Sequence, residues 1–64
     1  MREAELWQRL EMVLPEGYAA VWASQVVLAD LGGRTVAEAL AAGLPCKRVW
    51  RAAWHYLELP STLQ

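Results

Sequence analysis

Cysteine is almost missing from this chain: Cys46 is the single thiol in 64 residues. One thiol excludes an internal disulfide, and it excludes a cysteine-based metal site built within one chain. Small secreted domains commonly rely on disulfides, so the shortage favours a reducing compartment, and a cytoplasmic location is expected. Long apolar runs are missing too. Tyr18 to Ala29 is uncharged but holds twelve residues, against the ~20 that a membrane-spanning helix needs. The opening residues MREAELWQRLE are charged and contain no apolar signal core. Glycine-rich phosphate loops are absent, because Gly32-Gly33 follows a helical pattern and not a strand. No paired carboxylates converge. No enzyme chemistry, cofactor, small-molecule ligand or membrane contact is therefore expected.

Apolar residues, by contrast, make up 56% of the chain, and four of them are Trp. A chain of this length forms one domain and buries only about 60% of its unfolded surface. Each indole offers roughly 150–250 Å², so at least one is expected to remain partly exposed and to mark an interface. Charge is low overall, with a net value of −1, but it is unevenly spread. Arg2 and Arg9 against Glu3, Glu5, Glu11, Glu16 and Asp30 give residues 1–32 a charge of −3. Arg34, Lys47, Arg48 and Arg51 against Glu38 and Glu58 give residues 33–64 a charge of +2. Such a split can orient a charged partner or favour self-association. It also arises from ordinary solvated faces.

The periodicity predicts four helices and no strand. The first runs from about Glu3 to Leu14, with Leu6, Leu10 and Val13 in one stripe and Trp7 and Leu14 beside it. Glu5 and Arg9 form a favourable i,i+4 pair on its outer side, and Pro15-Glu16-Gly17 ends it. The second runs from about Tyr18 to Leu31. Tyr18, Trp22, Val26 and Ala29 share a face, and apolar residues continue almost all round, which marks a central helix. Its Val27 side is alternatively a docking surface. Gly32 and Gly33 stop it. The third covers Val36 to Ala42, opened by a Thr35/Glu38 capping box and closed by Gly43. Val36, Ala39 and Leu40 are expected to face inward. The fourth runs from about Pro45 to Glu58, with an apolar face of Cys46, Val49, Trp50, Ala53, Tyr56 and Leu57. Its polar face carries Lys47, Arg48, Arg51, His55 and Glu58, and Trp54 sits at the boundary as the candidate exposed indole.

The expected fold is all-α: a compact bundle of four short helices over residues 1–60, the last two arranged as a helix-turn-helix, then a frayed tail at residues 61–64. Leu6, Trp7, Leu10, Tyr18, Trp22, Val26, Leu40, Val49 and Trp50 are the expected core. Ala39, Gly43 and Val49 stand at the spacing that a helix-turn-helix uses, and Lys47 and Arg51 would face a major groove. Trp50, however, occupies the place of a base-reading residue and reads as core. Three cations also make a small patch beside those of nucleic-acid-binding domains. Cys46 and His55 lie nine residues apart on one helix, about 13 Å along its axis, and do not form a catalytic dyad. Arg51 over Trp54 is one available cation–π pair.

The residues also carry a family pattern. Trp7, Tyr18, Trp22, Leu28 and Leu31 precede Gly33-Arg34-Thr35, Ala39-Leu40, Gly43 and Val49-Trp50-Arg51. With these, the chain resembles DUF3046, an uncharacterised family of short actinobacterial proteins, along nearly its whole length. The resemblance implies a compact helical domain whose gene often lies near those for the recombination proteins RecA and RecX. It implies no catalytic or binding residue. The expected function is a non-enzymatic interaction module that binds a protein partner or itself. Its candidate surface is Lys47, Arg48, Arg51, Trp54 and His55. The alternative is a small DNA-binding or DNA-associated factor that uses the helix-turn-helix at 35–58.

Overall fold

The computed structural model describes residues 1–60; the tail expected at 61–64 lies outside them. Helix α1, Glu3–Val13, follows from its apolar stripe. Leu6 and Leu10 are fully buried, and Trp7 packs half-buried against them. Glu3 and Glu5 sit in its first turn, where the helix dipole favours negative charge. Arg9 closes on Glu5 at 3.2 Å on the outer face. The chain then leaves helical geometry at Leu14, ahead of Pro15, and turns through Gly17.

Helix α2 is Ala19–Gln25, and it stops well short of Leu31. Val26 takes extended backbone, and Val27–Leu28 forms strand β1. Ala29–Leu31 then makes one 3₁₀ turn before Arg34–Thr35 forms strand β2. The two strands are antiparallel, with Val27 opposite Thr35 and Leu28 opposite Arg34. The fold is therefore mostly helical with a small two-stranded sheet, and the all-α expectation is corrected. Local chemistry favours the break. The Ser24 hydroxyl donates back to the Val21 carbonyl at 3.0 Å, a bond that competes with helix continuation. Two β-branched residues, Val26 and Val27, follow it and suit extended backbone better. Within β1, Leu28 is 1% exposed and Val27 is 54% exposed, and Leu31 in the 3₁₀ turn is 1% exposed.

Gly32 and Gly33 both have positive φ, at 71° and 80°, and return the chain toward β2. The Gly33 amide donates to the Leu28 carbonyl at 3.1 Å, closing the loop. Arg34 steadies the same loop by donating from Nη1 to the Leu31 carbonyl at 3.2 Å.

Helix α3, Val36–Ala41, opens on a complete capping box. The Glu38 amide donates to the Thr35 hydroxyl at 3.1 Å, and the Thr35 amide donates to the Glu38 carboxylate at 2.9 Å. Thr35 is also the last residue of β2, so one residue closes the sheet and starts the helix. Thr35→Ala is expected to cost about 0.5–2 kcal/mol, read as a lower urea midpoint with an unchanged slope. An unchanged midpoint would show that the box contributes nothing. Gly43, at φ 85°, ends α3, and the Leu44 amide reaches back to the Ala39 carbonyl at 3.1 Å.

Helix α4, Cys46–Tyr56, buries Val49, Trp50, Ala52 and Ala53. It packs against α1, α3, β1 and the 3₁₀ turn, whereas α2 packs against α1, α3 and β2. The central helix is thus α4 and not α2, which is too short once it breaks at Val26. Small residues make this possible, because Ala52 and Ala53 let neighbouring backbone approach closely. Of the expected core, Leu6, Leu10, Trp22, Val49 and Trp50 are buried, and Trp7, Val26 and Leu40 are packed half-buried against it. Tyr18 is the exception. It precedes the first turn of α2 and stays 43% exposed, and Tyr56 takes the place beside Trp22 instead. The Trp22 and Tyr56 rings meet edge-on, with centroids 6.0 Å apart.

Candidate interaction surface

The outer side of α4 follows directly from its burial pattern. Residues 49, 50, 52 and 53 turn inward, which leaves Lys47, Arg48, Arg51 and His55 exposed on the opposite arc. Lys47 and Arg51 stand one turn apart on that arc. Among the described residues, Lys47, Arg48 and Arg51 make no ion pair or hydrogen bond from their side chains. Three neighbouring cations without an acid partner form a positive field that attracts an anionic surface. His55 differs: its Nδ1 lies 3.1 Å from Oδ2 of Asp30, in the 3₁₀ turn. Both side chains are largely exposed, so this contact tethers two elements without contributing much stability.

Trp54 is not the protruding indole that its boundary position suggests. Its ring stacks on His55 with centroids 5.7 Å apart, and its Nε1 donates to the Pro60 carbonyl at 3.1 Å. The side chain is half-buried against the core, and the segment after α4 folds back to meet it. Arg51 does not stack on it. The cation over an indole is Arg9, whose guanidinium lies 5.7 Å from the Trp50 ring centroid. Two indoles, Trp22 and Trp50, are almost fully buried, and Trp7 and Trp54 are partly so. Trp7 and Trp54 thus stay partly exposed, as the composition leads one to expect, and the exposed large apolar side chains among the described residues are Tyr18, Val21, Val27, Tyr56, Met1 and Met12.

Two clefts flank the cationic arc. One, of about 370 Å³, is lined by Asp30, Arg48, Arg51, Ala52, Trp54 and His55. The other, of about 290 Å³, lies between α1 and α4 and is lined by Met1, Glu5, Arg9, Lys47, Trp50 and Arg51. Arg51 belongs to both. Trp50, one of the residues lining the second cleft, carries an anomaly. Nε1 of Trp50 is buried and has no hydrogen-bond partner. An indole N–H only donates, and leaving a buried donor unpaired costs about 1–3 kcal/mol.

Sequence periodicity placed Lys47, Arg48, Arg51 and His55 outside, and there they stand. It did not bring α1 to this face. Glu5 and Arg9 read only as a pair within one helix, and Trp50 read only as core. Asp30, 25 residues from His55, carried no signal as its partner. Cys46 is half-buried at the opening of α4. Among the described residues, no group of three or more His, Cys, Asp or Glu side chains could hold a metal ion. Nor is any of their helices long and apolar enough to cross a membrane.

The model of the "Protein of unknown function (DUF3046)" family matches residues 1–62, so the chain belongs to that family. No curated protein and no solved structure matches it.

Proposed function

We propose that this DUF3046 protein is a non-enzymatic interaction module whose outer α4 face binds an acidic surface of a protein partner. The observation that carries this reading is the set of three exposed cations, Lys47, Arg48 and Arg51, unpaired among the described residues, on the helix that organises the core. Because the α4 backbone packs against α1, α3, β1 and the 3₁₀ turn, docking on its outer arc orders side chains without having to order the helix that carries them. Asp30 and Glu58 bound the arc, which limits it to a small acidic patch.

The test is binding of a labelled glutamate-rich peptide, acetyl-Glu-Glu-Leu-Glu-Glu-amide, followed by fluorescence anisotropy. Lys47→Glu, Arg48→Glu and Arg51→Glu combined are expected to weaken it about 3- to 100-fold, since exposed pairs contribute about 0.2–1 kcal/mol each. The three side chains are exposed, so circular dichroism should show the fold intact. Equal affinity for the triple variant would overturn the reading.

A second reading rests on a specific arrangement. Helices α3 and α4 pack together across residues 42–45, with the cations of α4 facing out. This is what a DNA-binding helix-turn-helix would present. Salt separates the two. Three phosphate contacts would make log K fall against log salt with a slope of about −2.7 on duplex DNA. Duplex binding with that slope, lost in the triple variant, would favour the second reading.

A further inference from the structure

We propose that the cleft between α1 and α4 receives one carboxylate side chain of the acidic partner, held by Lys47, Arg51 and the indole N–H of Trp50. The assignment rests on the outer-face reading and names its anchor. Trp50 is 3% exposed, and its N–H has no acceptor among the described residues. Such a donor asks for an acceptor atom and rejects a cation. Lys47 and Arg51 line the same cleft, are exposed and carry no acid partner among the described residues. The N-terminus of α4 adds to the field. Its cap residue, Pro45, provides no side-chain bond, and its first turn contains no acid, so its free amide groups favour negative charge.

The opposite wall limits what fits. Glu5 stands there, engaged by Arg9 at 3.2 Å. It tolerates a single negative charge balanced by two cations, but it repels the denser charge of a phosphate backbone. The cleft, at about 290 Å³, admits one side chain and not a duplex. The Trp50 nitrogen is covered, so a ligand reaches it only after a neighbouring side chain moves. Met1 and Arg9 are long, unbranched chains lining the cleft, and Arg9 already lies over the indole ring.

The experiment is a nitrogen-15 NMR titration of the full chain that follows the four indole N–H signals. Each signal is assigned by a single Trp→Phe variant. The probes are acetyl-Glu-Glu-Leu-Glu-Glu-amide, a random-sequence DNA duplex and inorganic phosphate. With the peptide, the Trp50 indole proton should move downfield in step with the Lys47 and Arg51 amides, while the Trp22 signal stays. Trp50→Phe keeps a ring and removes the donor, and it should weaken peptide binding roughly tenfold. Should that variant fold poorly, the wild-type indole shift still decides. A still Trp50 signal beside moving Lys47, Arg48, Arg51 and His55 amides would overturn the cleft assignment and leave the outer-face reading standing. No movement with the peptide at all would overturn both. A Trp50 shift with duplex or phosphate and none with the peptide would make the occupant a phosphate and overturn the carboxylate assignment.

Discussion

Trp22→Ala is expected to unfold a large share of the molecules at room temperature. Truncating a buried Trp costs about 3–5 kcal/mol, and a domain of this size has only roughly 3–10 kcal/mol in total. The position explains why relief is small. Trp22 is 4% exposed on a helix of seven residues, Ala19–Gln25, whose other buried side chains are Ala19 and Ala23. Those two alanines cannot move in to fill the void. Tyr56 meets the indole edge-on at 6.0 Å and would lose its one aromatic contact, worth about 0.5–1.5 kcal/mol beyond area. The helix depends on this anchor, because seven residues are far too few for a helix to hold itself in water.

Urea denaturation followed by far-ultraviolet circular dichroism checks this, since fluorescence loses a reporter in the variant. The midpoint should fall steeply, or the variant should lack a folded baseline. Trp22→Phe, which keeps a ring beside Tyr56, should retain a measurable transition. A midpoint for Trp22→Ala equal to wild type would mean that α2 is not anchored through this indole.

What the sequence reveals depends on whether the deciding information is local. The capping box of α3 was legible because Thr35 and Glu38 lie three residues apart, and both halves of the box form within one turn. The outer arc of α4 was legible for a similar reason: a helix with mixed residues has a phase, and Lys47, Arg48 and Arg51 fall on its polar side. The segment from Tyr18 to Leu31 has no such phase. When nearly every residue is apolar, periods of 3.6 and 2 fit equally well, and length alone favours a helix. The contest is settled by pairing with Arg34–Thr35, across a loop, which no window on residues 18–31 contains. The α1/α4 cleft was hidden in the same way. Glu5 and Arg9 satisfy each other locally, so nothing in their spacing points to Trp50. Tyr18 went to the surface although its carbonyl accepts the Trp22 amide at 2.9 Å, because Tyr56 of α4 takes the place beside the indole, a contact 34 residues away in sequence.

A second large effect is expected at Leu28, and its neighbour provides the control. Leu28→Ala should cost about 2–5 kcal/mol, while Val27→Thr should stay within about 0.5 kcal/mol. The contrast follows from strand geometry, in which successive side chains point to opposite faces. Leu28 is 1% exposed and its carbonyl accepts from the Gly33 amide, so it fixes both core and loop. Beneath it, β1 and the 3₁₀ turn both pack on α4, so a void at Leu28 loosens the support of the proposed binding helix as well. Val27 is 54% exposed, and threonine keeps its branched shape at the edge of the sheet. Paired urea midpoints measure the difference, and hydrogen exchange at the Gly33 amide reports on the loop. Leu28→Ala should speed that exchange, while Val27→Thr should leave it unchanged. Equal losses at the two positions would show that the chain does not alternate there. In that case Val26 would not be the point at which helix gives way to strand.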